Sequence, residues 1–71
     1  MERVMPTGTV RYVDRDRGFG FISRDDKQPK VFVHVTAVLE AGYADLEKGQ
    51  RWAFDLAEDR GKQIAVNLIA I

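Results

Sequence analysis

The segment RGFGFI, residues 17–22, places two phenylalanines on alternate positions and fills the gaps with glycine. Because successive side chains of a strand point to opposite faces, Phe19 and Phe21 share one face and both glycines lie on the other. Glycine weakens a strand unless it marks a bend or a close approach of two backbones. The segment therefore predicts a sharply curved strand that carries two aromatic rings on a single face.

Alternation of apolar and polar residues recurs along the chain and predicts five short strands. The predicted strands are 5–13, 17–23, 31–35, 50–57 and 62–69. Residues 36–49 break the pattern, and we expect a long loop there with one short helical turn near 36–39 and no packed helix. Short strands between turn signals indicate a small sandwich or barrel, and closure into a barrel removes exposed sheet edges. The predicted fold class is all-β, a small five-stranded antiparallel barrel.

Length and composition exclude several classes of protein. Seventy-one residues make one domain, near the lower limit for a stable core. With no cysteine and one histidine, the chain offers no disulfide and no zinc cluster, so we expect no cofactor. No apolar run approaches the ~18 residues of a membrane span, and no signal-peptide pattern opens the chain. We expect a soluble cytoplasmic protein with no membrane contact.

The second and third predicted strands have one aromatic and one aliphatic face. The aromatic face carries Phe19, Phe21, Phe32 and His34, and the opposite face carries Ile22, Val31, Val33 and Val35. We predict a barrel interior made from the aliphatic face together with Val10, Trp52, Phe54, Leu56, Ile64, Val66 and Leu68. The rings then face water, and an exposed apolar patch of this kind indicates a binding surface. The alternative is that the phenylalanines form half of a sandwich core.

Basic residues surround the predicted aromatic face, although the net charge of the chain is zero. Those in or beside the same strands are Arg11, Arg15, Arg17, Lys27 and Lys30. Exposed rings accept the π-face of any base, and nearby cations meet the phosphates, so the pattern is typical of single-stranded nucleic-acid binding.

The motifs RGFGFI at 17–22 and VFVHV at 31–35 resemble the two ribonucleoprotein-type motifs of cold-shock domains, usually KGFGFI and VFVHF. The likeness covers about residues 6–68, including Gly8-Thr9-Val10, Gly42-Tyr43, Leu46, Gly49-Gln50 and Ala65-Val66-Asn67-Leu68. We expect an N-terminal tail at 1–5 and a cold-shock-like domain at 6–71. The resemblance implies an OB-type barrel that binds single-stranded RNA and DNA with low sequence preference. It also implies a role as an RNA chaperone or a regulator of transcription or translation.

The resemblance also implies which residues bind nucleic acid. They are Arg11, Tyr12, Arg17, Phe19, Phe21, Phe32, His34 and Tyr43. The phenylalanines would stack on bases, His34 would stack or hydrogen-bond, and Tyr43 would add a peripheral platform on the long loop. The two arginines stand at the family's usual lysines and would contact the backbone. Tyr12 stands where the family usually has tryptophan. Its outward placement requires a bulge or a twist in the first strand, because strict alternation puts it in phase with Val10.

The chain also departs from the family pattern. Val13 and Val35 stand where the family usually has outward phenylalanines, and Lys62-Gln63-Ile64 replaces a Gly-Pro-rich segment. Since stacking contributes ~1–3 kcal/mol per base, we expect weaker and more salt-sensitive binding than a typical member shows.

The same residues bear on several other functions. A protein-interaction or self-associating module would use the same aromatic face, and a weak dimer would then replace the expected monomer. A regulator of double-stranded DNA would need a recognition helix, which the pattern lacks. The carboxylates of Asp25-Asp26 and Glu58-Asp59 fall on predicted hairpin tips with no nucleophile–base pair, so we expect neither an enzyme nor a small-molecule substrate. Other OB-type RNA binders of the ribosome and of translation initiation share the architecture but lack this motif pair.

Overall fold

A computed structural model describes residues 5–71, and residues 1–4 of the predicted N-terminal tail lie outside the described part of the chain. The elements in order are β1 Thr7–Asp14, β2 Phe19–Arg24, β3 Val31–His34, α1 Val35–Glu40, β4 Arg51–Asp59 and β5 Lys62–Ala70. All five predicted strands are confirmed. Their ends differ from the predicted ones by at most two residues.

The strands close into a barrel in the order β1-β2-β3-β5-β4, and β4 returns to pair with β1. The predicted small five-stranded barrel is confirmed. Neighbouring strands run antiparallel except β3 and β5, which pair in parallel where Phe32 lies opposite Ile64. In a closed barrel with an odd number of strands, strand direction cannot alternate all the way round, so at least one neighbouring pair must be parallel. The predicted fold class, an antiparallel barrel, did not include this pair.

A bulge in β1 sets the direction of Tyr12. Val10 lies opposite Ile22 and Tyr12 lies opposite Phe21, which leaves Arg11 as the extra residue. Because one inserted residue reverses the alternation, Val10 stays in the core while Tyr12 shares the face of Phe21. The predicted bulge is therefore confirmed.

The glycine of β2 is required by the close approach of β1. A Cβ atom placed on Gly20 would lie 2.4 Å from the backbone oxygen of Tyr12. The turn before β2 uses a second property of glycine, because Gly18 has a φ of +73°. Both glycines of the RGFGFI segment thus have a backbone reason, and the rings between them remain free to face outward.

The core confirms most of the predicted interior. Its buried residues are Val10, Ile22, Val31, Val33, Val38, Leu46, Trp52, Phe54, Ala65 and Leu68. The aliphatic face of β2 and β3 is inside, as predicted, and so is Trp52, which is only 2% exposed. Val35 packs against this core as a half-buried residue.

The prediction was wrong for three residues on β4 and β5. Ala53 pairs with Ile69 and Asp55 with Val66, so that two residues of β5 oppose a single residue of β4. The extra residue is Asn67, which has a φ of +52°. Because of this bulge, the inward and outward positions of β5 before Asn67 are reversed relative to those after it. Ala65 consequently lies inside, while Ile64 and Val66 are only partly buried.

Leu56 is the third of these residues, and its exposure has a different cause. It keeps the phase of Phe54, but β1 covers β4 only as far as Ala53. The β4–β5 hairpin continues beyond that cover, and Leu56 is 37% exposed. The hairpin ends, as predicted, in a tight turn, in which Arg60 and Gly61 both have positive φ.

The short helix α1 follows β3 without a break. The predicted helical turn near 36–39 is confirmed, but the prediction that no helix packs was wrong, because Val38 is fully buried. The backbone N–H of Thr36 donates to Nδ1 of His34 and caps the helix. Within residues 5–71, the structure contains no helix long and apolar enough to cross a lipid bilayer.

Candidate nucleic-acid interface

Four aromatic rings from β1, β2 and β3 form one continuous cluster on the outside of the barrel, which we call the aromatic face. Its members are Tyr12, Phe19, Phe21 and Phe32. The ring centroids of Phe19 and Phe32 lie 5.2 Å apart in a stacked arrangement. Phe21 meets both of them edge-on, at 5.9 and 5.8 Å. Tyr12 joins the cluster at 6.2 Å from Phe19 and 6.1 Å from Phe21.

The aromatic face is open to solvent. Phe19, Phe21 and Phe32 are half-buried and none belongs to the core, while Tyr12 is 50% exposed. All four rings line a shallow concavity of about 900 Å³. The alternative in which the phenylalanines form half of a sandwich core is therefore wrong, because the aliphatic side of the same strands already fills the interior.

The rim of the concavity is positively charged. Among residues 5–71, every charged residue lining it is basic, namely Arg11, Arg17, Lys30 and Lys62. Arg11 is exposed at the β1 bulge. The backbone N–H of Arg17 donates to Asp14, but the Arg17 guanidinium makes only a long contact of 3.9 Å with that carboxylate. A cationic rim around exposed rings can hold phosphates while bases occupy the centre.

Not every basic residue near these strands joins the rim. Nη1 of Arg15 lies 2.9 Å from a carboxylate oxygen of Asp45, and Nη2 lies 3.9 Å from Glu47. The Arg15 guanidinium holds the pKa of Asp45 below its usual value. Arg15 therefore already has carboxylate partners, and Lys27 lies on the β2–β3 loop outside the concavity.

Sequence reasoning missed Lys62 as a part of the site. Lys62 opens β5, two residues before Ile64, so both side chains lie on the same face of the strand. Ile64 pairs in parallel with Phe32, which brings Nζ of Lys62 to 5.5 Å from the Phe32 ring centroid. The positive charge is visible in the sequence, but its position depends on a pairing between distant strands.

His34 extends the aromatic face beyond Phe32, at a centroid distance of 6.5 Å. Its Nδ1 lies 3.2 Å from the backbone nitrogen of Thr36 and 2.9 Å from the Thr36 hydroxyl. A backbone N–H can only donate, so Nδ1 acts as an acceptor and the neutral imidazole carries its proton on Nε2. His34 therefore presents a hydrogen-bond donor beside the rings.

Tyr43 lies apart from the other predicted site residues. Its ring packs edge-on against Trp52 at 4.8 Å, and its hydroxyl oxygen accepts a hydrogen bond from the backbone N–H of Ala70 at 3.0 Å. Tyr43 is half-buried against the core and does not line the concavity. The structure thus brings together seven of the eight predicted residues, all except Tyr43.

Two valines mark the end of the aromatic face beside Phe19. Val13 pairs with Gly20, and both Val13 and Val35 pack partly against the core. Together with Phe19 and Leu46 they line a small depression of about 120 Å³. Neither side chain supplies a ring, so the stacking surface stops at Phe19 on this side.

A closed five-stranded barrel with outward rings inside a cationic rim has the features of a small β-barrel protein that binds single-stranded nucleic acid. The family model described as "'Cold-shock' DNA-binding domain" matches residues 6–71. The chain belongs to the cold-shock domain family, a family of nucleic-acid-binding proteins without enzymatic activity.

Named relatives agree with this assignment. The "Probable cold shock protein y4cH" of Sinorhizobium fredii is 46% identical over 69 residues, which cover 94% of this chain and 100% of that protein. The "Cold shock protein CspA" of Rhizobium meliloti is 44% identical over 68 residues, covering 93% and 99%. The "Cold shock-like protein" of Aquifex aeolicus is 43% identical over 63 residues, covering 83% and 90%.

Proposed function

We propose that this protein binds single-stranded RNA and DNA with low sequence preference by stacking bases on the aromatic face. The observation that carries the proposal is an open, continuous cluster of four rings inside a rim whose charged residues, within 5–71, are all basic. Each base has a π-face whatever its identity, so stacking tolerates any sequence and contributes ~1–3 kcal/mol per base.

The basic rim and His34 supply the polar contacts. Arg11 and Arg17 both line the concavity. Among residues 5–71 Arg11 forms no ion pair and the Arg17 guanidinium has only the 3.9 Å contact with Asp14, so both guanidinium groups are available to phosphates. His34 donates from Nε2 to a base carbonyl or a phosphate oxygen next to Phe32. Tyr43 is left out of the proposed interface because it packs on Trp52.

Binding by this surface should be weaker than binding by a longer row of rings. The stacking surface ends at Phe19, where Val13 and Val35 are aliphatic. Losing one base site at ~1–3 kcal/mol corresponds to about a five- to 150-fold loss in affinity. Attraction by a basic rim is also screened by salt, which makes the residual affinity salt-sensitive.

Weak binding that ignores sequence suits a protein that keeps transcripts unpaired, and we extend the proposal to a role as an RNA chaperone or a regulator of transcription or translation. The division into a tail at 1–5 and a domain at 6–71, the monomeric state and the cytoplasmic location stay predictions.

The test is a titration of fluorescently labelled heptathymidine, and of its RNA counterpart, with the wild type and with Phe19→Ala/Phe32→Ala. We expect the double variant to lose at least about tenfold in affinity, because it removes a stacked pair of rings. Ile69→Ala is the control, since Ile69 is a solvent-accessible apolar side chain, 50% exposed, that lies outside the concavity.

A second variant guards against misfolding. Phe19→Leu/Phe32→Leu keeps apolar volume on the half-buried side of each residue but removes the aromatic surface. A folded Leu variant that binds as tightly as the wild type would contradict the proposal. Concentration-dependent sedimentation of a wild type that binds no oligonucleotide would instead support the self-association alternative.

A further inference from the structure

Two lysines lie over rings of the aromatic face. Nζ of Lys30 is 4.8 Å from the centroid of the Phe21 ring, and Nζ of Lys62 is 5.5 Å from the centroid of the Phe32 ring. Both distances are within the ~6 Å range of a cation–π interaction. Neither lysine forms an ion pair with any residue between 5 and 71. Within the described part of the chain, each ammonium group therefore has an aromatic ring as its neighbour and no carboxylate as an ion-pair partner.

The two lysines occupy space that a stacked base needs. Atoms of a stacked base approach a ring to roughly 3.5–4 Å, so an ammonium group 4.8 Å above the Phe21 centroid stands within the volume of a base. Binding must move that group aside. Both side chains are exposed and end in flexible four-carbon stems, so the ammonium groups can swing away from the rings without moving the backbone.

We propose that Lys30 and Lys62 cover Phe21 and Phe32 in the free protein and transfer to phosphates when bases stack. The inference rests on the proposed function, since it requires bases on the aromatic face. In the complex, Lys30 and Lys62 then add two contacts with the nucleic-acid phosphates to those of Arg11 and Arg17. Additional phosphate contacts would thus compensate for the short stacking surface. On Phe21 and on Phe32, a base takes the place that the lysine ammonium group occupies in the free protein.

Salt dependence measures this exchange. For single strands the slope of log affinity against log salt is about −0.7 per phosphate contact, so four cations give about −2.8 and two give about −1.4. We expect Lys30→Gln/Lys62→Gln to show the lower slope with heptathymidine. The affinity loss should be about 25-fold at 0.1 M salt and should vanish near 1 M.

The matched control removes two lysines elsewhere. Lys27→Gln/Lys48→Gln makes the same change in net charge, but neither residue lines the concavity. We expect it to keep a slope close to that of the wild type. An equal fall in slope for both double variants, or an unchanged slope for Lys30→Gln/Lys62→Gln, would overturn the inference while leaving the proposed function intact. A wild-type protein that binds no oligonucleotide would contradict both this inference and the proposed function.

Proton NMR follows the lysines directly. The ε-methylene protons of Lys30 and Lys62 should show ring-current shifts in the free protein, because each ammonium group lies above a phenyl ring. These shifts should collapse toward ordinary lysine values when heptathymidine is added. Ring-current shifts that persist in the saturated complex would overturn the exchange, whatever the salt slope.

Discussion

Replacing Gly20 by alanine should disrupt the barrel at a point where the backbone of β1 lies close to β2. The new Cβ would lie 2.4 Å from the backbone oxygen of Tyr12, whereas ordinary contacts begin at 3.4 Å. Because real Cβ atoms essentially never approach another atom to less than 3.0 Å, the two strands must separate by at least about 0.6 Å, and by about 1.0 Å to restore an ordinary contact. A displacement of that size lengthens a hydrogen bond of roughly 2.9 Å beyond the limit at which it still binds.

The expected cost is large for so small a domain. Overpacking typically costs about 1–3 kcal/mol, and we expect the upper end because the colliding atom belongs to the backbone and cannot rotate away. A chain of this length is stable by roughly 4–10 kcal/mol, so Gly20→Ala should forfeit a substantial share. Tyr12 would move with its carbonyl group and leave the aromatic face, so oligonucleotide affinity should fall as well.

Urea unfolding followed by the fluorescence of buried Trp52 measures this cost. Gly49→Ala is the control, because a Cβ at Gly49 meets nothing within 4 Å and tests only its φ of +93°. We expect about 1–2 kcal/mol of destabilisation from that backbone strain. If Gly20→Ala proved as stable as the wild type to within ~0.5 kcal/mol, the close approach of the two strands would be refuted.

Three further predictions concern single side chains. His34→Asn keeps an acceptor for the Thr36 N–H but removes the ring and its Nε2 donor, so the free energy of unfolding should stay within ~0.5 kcal/mol of the wild type while oligonucleotide binding weakens. His34→Ala also removes the acceptor and should be ~1 kcal/mol less stable than His34→Asn. Equal stability of the two variants in urea unfolding would contradict the capping role of His34. Trp52 is 2% exposed, so its fluorescence should change little on adding heptathymidine, and strong quenching would place it at the ligand. The Thr7 hydroxyl and Arg51 hold the pKa of Asp25 below its usual value, so Asp25 stabilises the fold above the pKa of an unfolded carboxyl and this contribution is lost as pH falls through the folded pKa. Thermal melts of Asp25→Asn should therefore differ from wild type at neutral pH and converge with it as pH falls below about 4, whereas a constant difference would contradict the linkage.

Local periodicity was sufficient to predict the strands and which residues share a face, and the aliphatic opposite face together with the nearby basic residues favoured the phenylalanine face as the outer one. Alternation alone separates Phe19 and Phe21 from Ile22, because neighbouring side chains of a strand cannot share a face. The outward Tyr12 required the resemblance to cold-shock domains, since a bulge at Arg11 leaves no mark in the period of the sequence. The second bulge, at Asn67, had no such support, and the predicted phase of β5 was wrong there.

The remaining differences come from contacts between distant parts of the chain. Lys62 reaches Phe32 because β5 runs beside β3, and Tyr43 lies away from the site because its ring packs edge-on against the buried ring of Trp52. Val38 becomes part of the core because α1 packs over the barrel next to β5. The sequence pattern of a segment predicts which of its side chains can be buried, but the closed barrel determines which distant residues those side chains contact.

The central claim is that bases stack on the rings of the aromatic face. Intermolecular nuclear Overhauser effects in a complex of the wild type with heptathymidine test it most directly. We expect contacts between thymine H6 or methyl protons and the ring protons of Phe19, Phe21 and Phe32, together with upfield shifts of those thymine protons. A saturated complex in which thymine contacts only the charged side chains of the rim, with unshifted base protons, would contradict the claim.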